Sequence, residues 1–252
     1  ARMNMIMHDV HYNRFDIQND DTLEAPAHIE QRFSAVVANP PFSSDWSANP
    51  LHLNNERFSD YGKLAPKSKA DFAFVLDMLY HLKPNGIMAV VLPHGVLFRG
   101  GEEGTIRKAL IEENNIDAII GLPPAVFFGT GIPAAILIFK KHKVDNNVLF
   151  VDASREYKTG KNQNLLTEDN INRIIEIYKA RESVDKYAYL ATPEEIKEND
   201  FNLNIPRYVD TFEEEAEIDL MAVRTERLAL QNELTDLEAE MAGYLEELGY
   251  GA

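Results

Sequence analysis

The sequence predicts an open α/β sheet. Three observations carry that reading. Short, continuous apolar runs rich in Val and Ile recur through the first 153 residues. Segments with helical apolar spacing lie between them, and Pro, Gly or Asn punctuates the ends. Ligands in such sheets sit at the carboxyl ends of the strands, so the residues that terminate each run are the first place to look for chemistry.

"SAVVA" (34–38) reads as a parallel strand buried on both faces: short, uninterrupted, rich in Val. In "ADFAFVLDMLYHLK" (70–83) the apolar residues Phe72, Val75, Leu76, Leu79 and Leu82 give helical spacing with a wide apolar face. "PNG" (84–86) ends it, and "IMAVVLP" (87–93) is a second buried strand. "EGTIRKALIEEN" reads as a helix. "IDAIIGLP" (116–123), "AAILIFKK" (134–141) and "VLFVDA" (148–153) read as the third, fourth and fifth strands. Beyond about residue 153 the texture changes. "REYKTGKNQN" is a polar loop, and "TEDNINRIIEIYKARE" is a helix with acids at its start, where the dipole favours them. "TPEE" (192–195) is a capping box with Pro at the first helical position.

From Thr211 onward the pattern predicts one long helix. Ala216, Leu220, Val223, Arg227, Leu230, Leu234, Leu237, Met241, Tyr244 and Leu248 alternate steps of four and three, a heptad seam with a polar break at Arg227. Such a seam needs a facing helix; a partner subunit is the reading adopted, and packing against the chain's own body is the alternative. The organisation expected is therefore 1–153 for the sheet, 154–210 for a loop and helical extension, and 211–252 for a coiled-coil-like helix.

Composition narrows the function classes. The chain has 252 residues, 45% hydrophobic and 26% charged, enough to bury a core. No apolar run approaches the roughly 18 residues of a membrane-spanning helix, and "ARMNMIMHDV" is too short and interrupted for a signal peptide. Without cysteine there is no disulfide, Cys-ligated zinc, iron–sulfur cluster or thiol nucleophile, which fits a cytoplasmic location. His8 and His11 are three apart with no third ligand nearby, so no metal is expected. Lys plus Arg is 25 and Asp plus Glu 41, a formal net charge of −16. A solitary nucleic-acid binder is usually basic, so a chain like this one would depend on another polypeptide for much of its grip on DNA. All 13 glycines lie at Gly62 or later, so no Gly-rich nucleotide loop precedes the first strand.

The first strand stops at Asn39-Pro40-Pro41-Phe42. Neither proline has an N–H, and each stiffens the residue before it, so the Asn39 and Pro40 carbonyls have no regular ladder partner. The Asn39 amide adds one acceptor and two donors. The result is a rigid acceptor cluster with an aromatic plate beside it, suited to a planar group bearing an amino function. The same four residues also describe a strand ended by prolines with Phe42 in the core.

These residues resemble the catalytic motif of S-adenosylmethionine-dependent amino-group methyltransferases, DNA adenine-N6 enzymes in particular. The segment from "SKADFAFVLDMLYHLKPNGIMAVVLPHGVLFRGG" through "IDAIIGLPPAVFFGTGIPAAILIFKK", with "VLFVDASREYKTGKNQNLL" and "ENDFNLNIPRYVD", resembles the modification (M) subunit of type I restriction–modification systems. The resemblance spans about residues 1–210. It implies a Rossmann-like methyltransferase sheet in which Asn39 and the Pro40 carbonyl hold the N6 amino group of a flipped-out adenine and Phe42 stacks on the base, with Pro41 the remaining member of the catalytic motif. It implies S-adenosylmethionine as cofactor, with Asn39 and Asp21 of "DTL" (21–23) as binding residues; the family usually has Gly where this chain has Asp20. It implies DNA, a specificity subunit and a restriction subunit as partners.

The family's Gly-rich cofactor loop and the acid after its second strand are not among these residues, and "ARMNMIMH" resembles the helix that follows that strand. The chain thus resembles the C-terminal part of an M subunit, with a sheet incomplete on its N-terminal side. Three rivals stand beside this reading: a protein-glutamine N5 methyltransferase, which shares the Asn-Pro-Pro-aromatic motif; a non-catalytic assembly fragment; and a lone adenine methyltransferase without partners, which the charge of −16 disfavours. "GVLFRGGEEGT" (95–105) lacks the Lys-Ser/Thr of a phosphate loop and reads as a plain loop. "FFGTGIP" (127–133) resembles the family's hairpin beside the site, and Lys140, Lys141 and Lys143 read as a solvated strand end. With half the cofactor pocket supplied, these 252 residues alone are expected not to bind S-adenosylmethionine appreciably; micromolar affinity by calorimetry would refute this.

Overall fold

The wide apolar face of "DFAFVLDMLY" needs a sheet to cover it, and the computed structural model supplies one. It describes residues 1–127, 131–212 and 219–250, in two units, Ala1–Thr211 and Phe212–Ala252. In the first unit, helix α1 (Arg2–Met7) precedes strand β1 (Phe33–Ala38), α2 (Asp71–Tyr80), β2 (Leu82–Pro93), α3 (Gly101–Glu112), β3 (Ile116–Gly121), β4 (Ala134–Lys140) and β5 (Val148–Asp152). A hairpin of β6 (Lys158–Thr159) and β7 (Asn164–Leu165) follows, then α4 (Glu168–Ala180), β8 (Ala188–Ala191) and α5 (Pro193–Glu198). Six strands form one sheet in the order β1-β2-β4-β3-β5-β8. β1 is parallel to β2 and β3 to β5, whereas β4 runs antiparallel to both β2 and β3 and β8 antiparallel to β5. β1, β2, β3 and β5 therefore share one direction, and their carboxyl ends lie along one end of the sheet.

The sheet has a core on each face. On one, Phe72, Val75, Leu76 and Leu79 of α2 and Ile106 and Leu110 of α3 pack with Met88, Val90, Leu137, Phe139 and Phe150 of the strands. On the other, Ile174 of α4 packs with Ala118, Ile120, Ile138, Leu149 and Val151. At about 25 cal/mol per Å² of apolar surface buried, these two layers are the main source of stability. Thr167 and Thr192 close capping boxes at the starts of α4 and α5, the latter where "TPEE" predicts it.

Several expectations need correction. The helix expected over 70–83 stops at Tyr80, and Leu82, Lys83 and "PNG" already belong to β2. β1 is not buried on both faces. It stands first in the sheet order; Val36 and Ala38 face the α2 core, while Val37 is 81% exposed. The α4 layer covers β3, β4 and β5 and includes no β1 residue. A Val-rich run reports apolar side chains, not how many neighbours cover them. The segment 155–164 is not all loop, since Lys158↔Leu165 and Thr159↔Asn164 pair as a hairpin. The Gly-rich stretch 95–105 is helical from Gly101 onward, in α3. The last helix, α6 (Leu220–Glu247), does not start at Thr211: Thr211 and Phe212 are not helical, and the Asp219 carboxylate caps the first turn by accepting from Met221 and Ala222 N–H. Ala216 lies outside the described residues. The α6 seam residues Leu220, Val223, Leu230, Leu234, Leu237, Met241 and Tyr244 are exposed.

The lysines after β4 are also not simply solvated. Lys140 Nζ lies 2.8 Å from Asp117, Lys141 Nζ donates to the Leu82 carbonyl (2.9 Å), and Lys143 Nζ donates to the Ile116 (2.7 Å) and Asn147 (2.9 Å) carbonyls. They fasten strand ends. Burial raises the Asp117 carboxyl, but Lys140, Tyr178 and Arg181 outweigh it and hold the group below the ordinary range.

Burial lowers the Lys143 ammonium to about 8. Between there and its unfolded value near 10.5 the unfolded chain binds the extra proton, so stability rises with pH across that window. Urea unfolding at about pH 7.5 and 10 is expected to show the wild type gaining on Lys143→Met as pH rises; a constant difference would contradict it.

Candidate active site

β1 carries the chain to the carboxyl end of the sheet, where Ala38 is still paired with Val90. Asn39 follows, and the ladder ends because Pro40 and Pro41 have no N–H. Asn39 is exposed, and neither its side-chain amide nor the Pro40 carbonyl has a hydrogen-bond partner among the described residues. Phe42 is half-buried and stands edge-on to Phe127, ring centroids 6.2 Å apart at 85°. Phe127 opens the "FFGTGIP" segment, of which 128–130 lie outside the described residues.

The turn behind these residues is held by α2. Ser43 sits in the left-handed region at φ 49°, which reverses the chain after Phe42. Its N–H donates to Asp71 Oδ1 at 2.7 Å and its hydroxyl to Asp71 Oδ2 at 3.2 Å. Ala70 N–H donates to the Ser44 carbonyl at 2.9 Å. Asp71 opens α2 and is fully buried, where the helix dipole favours an acid. Arg99 approaches Asp71 at 3.6 Å and Glu103 at 3.2 Å. Burial raises the Glu103 carboxyl, and Arg99 pulls against that. Trp46 closes the loop from the other side, its indole N–H reaching the Ala65 and Pro66 carbonyls.

Two turns along the same helix, Asp77 holds the segment that contains Asp21. Arg57, 2% exposed, places Nη1 on Asp77 (2.7 Å) and on the Thr22 carbonyl (3.1 Å), and Nη2 on the Leu23 carbonyl (2.8 Å). Burial raises the Asp77 carboxyl, with Arg57 and His81 opposing. Asp21 Oδ1 accepts the Leu23 and Glu24 N–H groups, which fixes the carboxylate on its own turn, while Oδ2 has no hydrogen bond among the described residues. Glu24 in turn accepts from the Ser47 hydroxyl (2.5 Å) and lies 3.2 Å from His52. The turn of Asp21 and the loop after Phe42 are thus joined to each other as well as to α2. An oriented carboxylate oxygen and an amide and carbonyl without partners are donors and acceptors that suit a nucleoside-bearing cofactor and an amino group.

Asp71, Asp77, Arg57 and Ser43 are absent from the sequence reading. A signal for them exists: two acids inside "ADFAFVLD" on a wide apolar helix are tolerated only if each finds a partner. The partners are 20 and 28 residues upstream and cannot be assigned from spacing.

Comparison with known proteins bears on the whole chain. The family model described as N-6 DNA Methylase matches residues 1–217. The type I restriction enzyme MpnII methylase subunit of Mycoplasma pneumoniae is 34% identical, across 98% of this chain and 48% of that protein. The HindI methylase subunit of Haemophilus influenzae is 35% identical, across 99% of this chain and 59% of its own. Among solved structures, the type I restriction-modification system methyltransferase subunit from Streptococcus thermophilus superposes with a TM-score of 0.81 at 55% identity, over 83% of this chain and 46% of that one. The chain spans about half the length of the curated relatives it matches.

Removing the Asp71 carboxylate leaves the Ser43 N–H without its acceptor, a loss of about 1–3 kcal/mol for a buried group. Asp71→Ala is expected to lower stability by that much in urea unfolding and to speed amide hydrogen exchange over residues 42–44. Asp71→Asn, which keeps an acceptor, is expected to restore most of the protection; equal protection in all three proteins would contradict the brace.

Proposed function

The chain belongs to the N-6 DNA methylase family, and from that premise we propose that it is the target-base half of a type I restriction–modification methylase subunit. In the assembled enzyme it takes part in methyl transfer from S-adenosylmethionine to adenine N6 in DNA. The observation that carries this reading is the acceptor pair of Asn39 and Pro40, without partners among the described residues, set beside Phe42 at the carboxyl end of the sheet. The two curated relatives named above, both restriction-enzyme methylase subunits, favour DNA over a protein glutamine as substrate.

An amino group on a purine is a poor nucleophile because its lone pair is delocalised into the ring. Asn39 Oδ1 and the Pro40 carbonyl accept from its two N–H bonds and favour a pyramidal nitrogen with a localised lone pair. Pro40 and Pro41 hold that acceptor geometry before the base arrives, so no reorganisation is needed at the moment of reaction. Phe42 offers its face to the base, which leaves the duplex stack at a cost of a few kcal/mol. S-adenosylmethionine, when bound, supplies the electrophilic methyl group; Asn39 and Oδ2 of Asp21 are the groups here that would hold it. The scheme is positioning plus electrostatics and requires no dedicated general base.

The partners follow from chemistry already described. With a formal charge of −16, the chain leaves much of the DNA grip and the reading of sequence to a specificity subunit. The heptad spacing along α6 suits a helix of that subunit, and the restriction subunit completes the complex. No helix among the described residues is long and apolar enough to cross a membrane; the proposed location is the cytoplasm.

In the full-length subunit, assembled in its complex, Asn39→Ala is expected to lower kcat by about 10²–10³ or more, the scale of losing one preorganised hydrogen-bonding group. Affinity for S-adenosylmethionine should fall far less than kcat, because Asn39 is only one of the cofactor contacts in the full-length subunit. Methyl incorporation into a cognate duplex checks this, and retained activity would sink the assignment.

A further inference from the structure

The β6–β7 hairpin is not used by the chemistry above, yet it is built with care and tied to the site. Its tip is tight: a Cβ on Gly160 would lie 2.4 Å from the Gln163 carbonyl, a backbone atom that cannot move aside cheaply. Thr159↔Asn164 is the last pair, closing a four-residue loop, Gly160 to Gln163. Asn164 anchors the hairpin, its N–H donating to the Ala125 carbonyl and its side-chain Nδ2 to the Pro124 carbonyl, both at 2.9 Å. Pro124 and Ala125 belong to the segment that leaves the carboxyl end of β3 and runs to Phe127, the ring against Phe42. The hairpin is therefore linked to the Asn39–Phe42 turn indirectly, through the segment from Pro124 to Phe127.

Its charge is the reverse of the chain's. Residues 157–165 carry two lysines and no acid in a protein of net charge −16. Lys158 and Lys161 are exposed and form no ion pair among the described residues. The nearest acid in sequence, Glu156, is already engaged by Arg173 and Asn170. Arg155 is set aside, because its guanidinium donates to the Thr211 carbonyl. Thr159, Asn162 and Gln163 add neutral polar groups of the kind that accompany lysine at phosphates.

We infer that this hairpin is a sugar-phosphate contact, with Lys158 and Lys161 neutralising phosphates of the strand that carries the target base. The inference rests on the proposed DNA methyltransferase reading and deepens it: it gives an acidic chain a local cationic point of grip beside the site. A phosphate contact fixes register without reading sequence, so its loss weakens binding to all duplexes alike.

The test uses the full-length subunit in its assembled complex. Wild type, Lys158→Ala/Lys161→Ala and Lys158→Arg/Lys161→Arg are compared by fluorescence anisotropy on a cognate duplex between about 50 and 200 mM salt. Methyl incorporation, S-adenosylmethionine affinity and Tm are measured on the same samples. For the alanine pair, the slope of log K against log salt is expected to become shallower by about two, with affinity lower on the order of ten-fold at the low-salt end. The loss should be equal on a duplex lacking the target adenine, Tm and cofactor affinity should be unchanged, and the arginine pair should bind like wild type. A wild type that methylates adenine while the alanine pair keeps both slope and affinity overturns the hairpin contact and leaves the function standing. A wild type that methylates no adenine overturns both.

Discussion

The site depends on two buried acids of one helix. Asp71 at the start of α2 receives the backbone and hydroxyl of Ser43, and Asp77 two turns later receives the guanidinium of Arg57. Through them the turn after Phe42 and the turn of Asp21 are referred to one rigid element. An ionised carboxylate in the interior is costly unless every lone pair finds a donor. That cost makes the arrangement specific: a loop that drifted from Asp71 or Asp77 would leave an uncompensated charge. The linkage of Glu24 to Ser47 and His52 closes the loop between the two turns without the helix.

Sheet topology decides where those turns stand. Because β4 is inserted antiparallel between β2 and β3, the four co-directional strands keep their carboxyl ends together. Asn39 after β1, His94 after β2, Leu122 after β3 and Ala153 after β5 all leave from that end. The antiparallel insertion costs little chain, since an antiparallel neighbour can be reached by a short connection whereas a parallel one needs a crossover. On one face of the sheet, the apolar sides of α2 and α3 fill the larger core.

Much of this was legible in the residues. The strand-rich runs, the α2 and α3 patterns and the capping box at Thr192 reflect local rules that hold without tertiary knowledge. The Asn39–Phe42 turn was legible as an acceptor cluster because proline chemistry is local. Most of what failed was non-local. Burial of Val37 depends on which neighbours cover β1, and the roles of Lys141 and Lys143 depend on carbonyls 59 and 27 residues away in sequence. The direction of β4 was within reach, because the 12 residues between Gly121 and Ala134 hold no helix-spaced segment. The start of α6 was misplaced because a heptad count has no feel for its N-cap, here Asp219. Asp71 and Asp77 were visible as misfits on an apolar face, but their partners were not.

The central claim is that the turn of Asn39, Pro40 and Phe42 receives a base that has left the helix. It is tested most directly by the fluorescence of 2-aminopurine placed at the target adenine of a cognate duplex, bound by the assembled complex. The account predicts a rise in emission on binding, as the probe leaves its stacked neighbours, and a different emission with Phe42→Ala, where no ring lies over it. A probe that stays quenched in the wild-type complex, or one indifferent to Phe42, would contradict it.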